Sequence, residues 1–199
     1  MPGTTNLPTG AQPRKRARDA LLQAAARLFY ADGLAGTGID AITAEAGVAK
    51  KSLYNNFASK ADLVGAYLEA RHEEWLGLYR ARLDAAADPK ERLLAVFDAY
   101  ADHADMAYEH GFRGCGLLNA AAELPAGDPG RAAVRRHKEQ VEALLSEHLA
   151  ELLPDAGRVA PMARHLAFLL EGAMARAGLE GSDNCIQEAR RLAADMVSA

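Results

Sequence analysis

Lys50, Lys51, Ser52, Asn55 and Asn56 fall within one short stretch, and a helix through it would expose them while burying Leu53 and Phe57. Lysines neutralise phosphates and asparagine carboxamides address base edges, so such a helix suits the major groove of double-stranded DNA. The residues just before supply what that helix needs. Thr37 is placed to cap a short helix carrying Ile39 and Ile42, leaving its N-terminal N–H groups toward a phosphate. Ala46 is small enough for two helices to cross closely, and Gly47 provides the positive φ of a tight turn. Residues 37–57, TGIDAITAEAGVAKKSLYNNF, therefore read as a helix-turn-helix whose recognition helix lies in Lys50–Phe57.

The elements that must position these residues are all helical by pattern. Half of the 199 residues are hydrophobic, mostly Ala and Leu, and aromatics make up only 6%, which favours helix over strand. Ala17, Leu21, Ala24, Ala25, Leu28 and Phe29 repeat at helical spacing until Gly33. After the recognition stretch a long helix is expected from Leu63 to about Leu83, then one starting at Asp88–Pro89, where proline at the first helical position costs nothing. A Gly-rich connection, Gly111–Gly116, precedes a short helix over Leu117–Leu124. Longer helices follow over about Asp128–Leu153, Ala160–Ala177 and Ser182–Val197. The expected fold is all-α, about nine helices. Residues 1–13 would be a disordered tail, 14–60 a three-helix DNA-binding domain, and 61–199 a helical ligand-binding and dimerisation body.

Charge follows the same division. The formal net charge is −4, yet Arg14–Lys60 holds eight basic and four acidic residues, leaving the chain beyond Lys60 at −8. A basic head on an acidic body fits a polyanion-binding module, although Arg14–Arg18 alone would also suit a solvated helix start. Cys115 and Cys185 form neither a disulfide framework nor a zinc set, and no apolar run approaches the roughly 18 residues of a membrane span. The polar N-terminus lacks the apolar core of a signal peptide. These features lead to the expectation of a cytoplasmic protein without metal, cofactor or membrane attachment.

Residues 37–57, continued by Ser59-Lys60-Ala61-Asp62-Leu63, resemble the signature of the tetracycline-repressor (TetR) family of bacterial one-component regulators. That pattern closes its recognition helix on Leu-Tyr-x-x-Phe, and Leu53–Phe57 is Leu-Tyr-Asn-Asn-Phe here. The resemblance implies that Tyr54 and Lys60 contact phosphates, with Thr37 doing so at the helix start, while Lys50, Lys51 and Asn55 read the groove beside Ser52. Many members carry a small residue where Lys51 stands, so Lys51 is either an added phosphate or guanine contact or a solvated charge. The likeness is strong over about residues 15–65. Beyond them it rests on length and helix count, and on a segment, Phe112–Ala121, similar to one in a subset of members.

The resemblance further implies a homodimer through the last two helices, a small-molecule effector and a pseudo-palindromic operator. Such a regulator is bacterial and nucleoid-associated when bound to DNA, and repression is the family default. The chain itself supports the dimer, because Leu166, Phe168, Leu169, Leu170, Ala173 and Met174 make one helix apolar around much of its circumference. A helix buried inside a monomer would look the same. Candidate effector contacts in the body are Trp75, Tyr79, Phe97, Tyr100, Tyr108, Phe112, Phe168 and Met174, together with the polar His103, Asn119 and Glu171. Each could equally be ordinary core. Cys115, before a short helix, is a further candidate: a helix N-terminus can create a reactive thiolate that senses electrophiles or oxidants, or the residue is a small buried hydrophobe.

Enzymatic chemistry finds little footing. There is no Gly-rich phosphate loop, metal-spaced His/Cys set or nucleophile elbow. His103 and His110, with Asp102 and Asp105, fall on different faces of one helix and its exit. The alternative from another class is a small helical ligand-binding protein or enzyme without DNA binding. A salt-dependent shift of DNA from upstream of the gene discriminates the two.

Overall fold

The computed structural model describes residues 11–106 and 110–198. Among them every regular element is a helix, and there are nine: α1 (Ala11–Gly36), α2 (Ile39–Glu45), α3 (Lys50–Asn56), α4 (Lys60–Ala85), α5 (Pro89–Ala104), α6 (Gly116–Glu123), α7 (Pro129–Leu152), α8 (Ala156–Glu180) and α9 (Asn184–Met196). The chain divides into two compact units, at Tyr67 and Leu68 within α4. This lies a few residues beyond the boundary expected at Lys60. Helix α1 also starts earlier than the expected Arg14, at Ala11; the rest of the expected tail, residues 1–10, lies outside the described residues.

The first unit is a three-helix head closed by the start of α4. Leu21, Ala24, Ala25 and Phe29 of α1 are buried with Ile42 of α2, Leu53 of α3 and Phe57. Leu63 and Tyr67 of α4 join them, the Tyr67 ring meeting Phe29 edge-on at 5.4 Å between centroids. Gly33, at φ 81° and ψ 169°, interrupts α1 before its final turn. Gly47, at φ 64°, makes the turn between α2 and α3, and Val48 N–H returns to the Thr43 carbonyl at 3.0 Å.

In the second unit, α5 is buried along most of its circumference, through Leu93, Leu94, Val96, Phe97, Ala99 and Tyr100. It packs on α7 and α9, while α8 packs on α7 and α9 in turn and α6 lies on α7. Arg190 of α9 forks onto Asp98 of α5 at 2.7 and 3.1 Å. Aspartates start three of these helices: Asp88 accepts from Glu91 N–H, Asp128 from Gly130 N–H and Asp155 from Gly157 N–H, at 2.7–2.8 Å. The Asp155 cap explains why α8 begins at Ala156 rather than near Ala160, taking Gly157 and Pro161 inside the helix. Gly178 of α8 lies so close to the loop before α6 that a Cβ there would sit 2.5 Å from Gly114 N. That contact presses the loop carrying Cys115 onto α8.

Candidate functional site

The groove-facing set gathers on one side of α3. Lys50, Lys51 and Asn55 are exposed, Tyr54 is 52% exposed, and Ser52 is half-buried. Lys50 is ion-paired with Asp40 of α2 at 2.8 Å, a contact that raises its pKa, chiefly through the hydrogen bond. Asn56 turns back on its own helix, donating to the Ser52 carbonyl at 2.7 Å. The basic start of α1 reaches the end of α3: Arg14 donates to the Asn55 carbonyl at 2.7 Å, and the Arg18 guanidinium stands 5.2 Å from the Phe57 ring centre. A cation there satisfies a terminal carbonyl and opposes the negative end of the α3 dipole.

One expectation is corrected. Thr37 is not the cap of α2; Gly38 holds that position without a side-chain bond. Thr37 is 2% exposed, with its hydroxyl 2.7 Å from the Gly33 carbonyl oxygen and 3.1 Å from that of Leu28. The threonine hydroxyl thus closes back on the end of α1 across the break at Gly33. Lys60, for which the resemblance implies a phosphate contact, is half-buried here and donates through Nζ to the Leu34 carbonyl at 2.5 Å. Both residues fasten the end of α1.

In the body, the structure brings together Trp75, Tyr79 and Tyr100. Trp75 stacks on Tyr79 with planes 3° apart, lies 5.2 Å from Tyr100, and meets His137 edge-on at 5.3 Å. Phe97, Phe112, Cys115 and Met174 are buried as well. Cys115 is the N-cap of α6, and its thiol lies within the electrostatic reach of Tyr100 and Lys138. Asn119 holds the preceding loop, donating to the Arg113 carbonyl at 3.0 Å. Phe168 departs from the set: it is 67% exposed, because Leu166 and Leu170 take the inward face of α8 and Phe168 lies between them. Tyr108 lies outside the described residues.

A hydrogen-bonded chain not expected from the sequence runs through this core. Glu171 of α8 pairs with Lys138 of α7 at 2.9 Å, and Lys138 reaches the Tyr100 hydroxyl at 3.3 Å. That hydroxyl lies 3.2 Å from His137 Nε2, and His137 Nδ1 lies 2.8 Å from His72 Nδ1. Nearby, the Tyr79 hydroxyl meets His148 Nε2 at 2.7 Å. Burial drives His137 down to about 3 and His103 to about 4, and neighbouring cations add to both effects, so both rings are neutral near pH 7. Burial also raises Tyr79 to about 12 and moves Tyr100 in the same direction. For Lys138, burial favours the neutral amine, but the ion pair with the Glu171 carboxylate outweighs it and keeps the ammonium.

A signal for these residues was present in the sequence. His137 and His148 stand at helical spacing with Val134, Val141 and Leu145, on the apolar stripe of α7. His72 likewise falls between Leu68 and Trp75 on α4. The indole N–H of Trp75 and one Glu171 carboxylate oxygen are buried without a hydrogen-bond partner among the described residues.

Comparison with known proteins agrees with both units. Residues 21–67 match the model of "Bacterial regulatory proteins, tetR family", and residues 89–193 match that of "Tetracyclin repressor-like, C-terminal domain". The transcriptional repressor KstR2 of Mycolicibacterium smegmatis is 40% identical over 91 residues, 46% of this chain and 44% of that protein. The activator FasR of the same organism is 34% identical over 106 residues, 53% of this chain and 47% of its own length. The matches thus span less than half of these curated relatives. Among solved structures, SCO4454, a TetR-family transcriptional regulator from Streptomyces coelicolor, is 34% identical, covering 92% of this chain and 94% of its own with a TM-score of 0.80. With helix-turn-helix and helical body both matched, the chain belongs to the TetR family of transcriptional regulators, a class of DNA-binding proteins rather than enzymes.

Proposed function

We propose that the chain is a homodimeric repressor that binds a pseudo-palindromic operator and is released by a small molecule held in its body. The observation that carries this reading is the outward face of α3, where Lys50, Lys51, Tyr54 and Asn55 stand together over a buried Leu53 and Phe57. Tyr54 is assigned to phosphates, with the Arg14–Arg18 segment beside it, and Lys50, Lys51 and Asn55 to base edges.

The dimer is supported by α8. Pro161, His165, Phe168, Gly172, Ala175 and Leu179 are all exposed and recur along one face, with Leu179 at 89%. A large apolar side chain left this open on a helix face marks an interaction surface. Two-fold pairing would set the recognition helices about 34–36 Å apart, or a multiple of a helical turn. The relatives include both a repressor and an activator; repression is the simpler output for a dimer that occupies promoter DNA.

Helix α4 contributes Leu63 and Tyr67 to the head and Trp75 and Tyr79 to the body. A ligand that displaces the Trp75 end would shift α4 and with it the spacing of the recognition helices. It releases DNA only by favouring the DNA-incompetent state. The test is a gel shift on DNA upstream of the chain's own gene, followed by selection from random duplexes. A salt-dependent shift on a two-fold site is expected; the absence of any two-fold site in the selection would overturn the reading.

A further inference from the structure

We infer that the mouth of the cavity between α4 and α7 is a receptor for a small monocarboxylate, which makes a carboxylic acid of about the size of benzoate the effector class of this regulator. The inference rests on the effector reading above and names the ligand chemistry for it.

The cavity has a volume of about 180 Å³. A cavity of about 150 Å³ takes a benzene ring, so this one admits a ring or a short alkyl chain. Leu68 of α4 and Leu117 of α6 form its apolar side, and both are buried. The polar side is built from His72, Arg136, His137 and Gln140.

The hydrogen-bonded chain behind the cavity determines what His72 presents to it. Lys138 can only donate, so the Tyr100 oxygen accepts from it and the Tyr100 proton goes to His137 Nε2. His137 is neutral, so its single proton then sits on Nδ1 and is donated to His72 Nδ1. His72 has its acceptor nitrogen occupied and carries its own proton on Nε2. The cavity is therefore offered an imidazole N–H, a guanidinium and a carboxamide.

Arg136 has no carboxylate partner among the described residues. One acidic side chain, Glu69, also lines the mouth, and it is exposed and unpaired with Arg136. Three donor groups against one carboxylate favour a ligand that accepts hydrogen bonds, and the guanidinium favours an anionic one through a forked, charge-assisted pair. A cationic ligand would have Glu69 alone to meet it.

The experiment is calorimetric titration of the full chain with acetate, hexanoate and benzoate, and with benzamide and benzylamine as neutral and cationic counterparts of benzoate. Binding of hexanoate or benzoate at one site per chain is expected, with benzamide at least tenfold weaker and benzylamine silent. Arg136→Gln, at an exposed position that leaves the core untouched, should weaken carboxylate binding at least tenfold, and Gln140→Ala should weaken it less. Arg135→Gln, which removes the neighbouring exposed arginine that pairs with Glu139, should leave it unchanged. Silence from all three carboxylates, equal binding of benzamide, preference for benzylamine, or full affinity in Arg136→Gln would each overturn the assignment. A gel shift run in parallel separates this proposal from the one it rests on. A chain that shifts operator DNA but binds no carboxylate loses only the site. A chain that binds benzoate through Arg136 but shifts no DNA keeps the site and loses the regulatory role.

Discussion

At the scale of single residues, Thr37 and Tyr54 illustrate how two polar groups of one module do opposite work. Thr37 is buried, with its hydroxyl committed to the Gly33 and Leu28 carbonyls. Thr37→Val keeps the shape and removes the donor, so it should cost about 1–3 kcal/mol of stability. Urea denaturation checks this; a variant with unchanged stability and weakened DNA binding would return Thr37 to the phosphate role. Tyr54, by contrast, stands half exposed on α3. Tyr54→Ala should weaken binding to operator and random DNA alike, whereas Asn55→Ala should also relax base preference near the half-site centre. Competition binding against a set of single-base operator variants distinguishes the two, and equal relaxation by both would undo these assignments. Lys50 adds a third case, since Asp40 offsets its charge before any DNA arrives. Asp40→Asn should raise affinity for random DNA a few-fold at low salt and have no effect at high salt, because an exposed pair is screened.

At the scale of elements, α8 carries the most direct prediction. Its inward face is filled by Leu166, Leu170, Ala173, Met174 and Ala177, so Phe168 and Leu179 can be changed without opening the core. The double variant Phe168→Glu/Leu179→Glu should sediment as a monomer with an unaltered helical spectrum, and should lose two-fold operator binding with it. A dimer of undiminished affinity would place the interface elsewhere. The helices themselves were largely legible in the sequence, because aspartate caps, Pro at first turns and Gly at breaks act locally: Asp88–Pro89, Gly33 and Gly47 are where their chemistry places them. What was not legible depends on partners far along the chain. Thr37 has the residue type of a cap, and only the break in α1 turns its hydroxyl inward. Phe168 has the hydropathy of a pocket residue, yet its helix already had a full inward face. His72, His137 and Lys138 come from α4 and α7, and no spacing along either helix announces that they meet Tyr100 of α5.

At the scale of the whole molecule, the body holds neutral histidines in its interior, and this makes its stability a function of pH. His103 is 7% and His137 3% exposed, with folded values of about 4 and about 3 against the ordinary 6.5. Burial, the main cause, also lowers His148. Between pH 6.5 and the folded values, the unfolded chain binds protons that the folded chain refuses. Stability is thus fully present above pH 6.5 and is lost as pH falls toward 4 and then 3. The loss amounts to about 2 kcal/mol per histidine by pH 5, at about 1.4 kcal/mol for each pH unit. Denaturant midpoints measured at steps from pH 7.5 to pH 5 should fall steadily below 6.5, before most carboxylates begin to titrate. His137→Gln keeps a hydrogen-bonding side chain and cannot titrate, so its midpoint at pH 7.5 drops while its slope with pH becomes shallower than that of the parent. A flat profile in the parent, or an equal slope in the variant, would show that these rings gain protons without unfolding the body. The polar chain from Glu171 to His72 would then be a path open to solvent rather than part of a closed core.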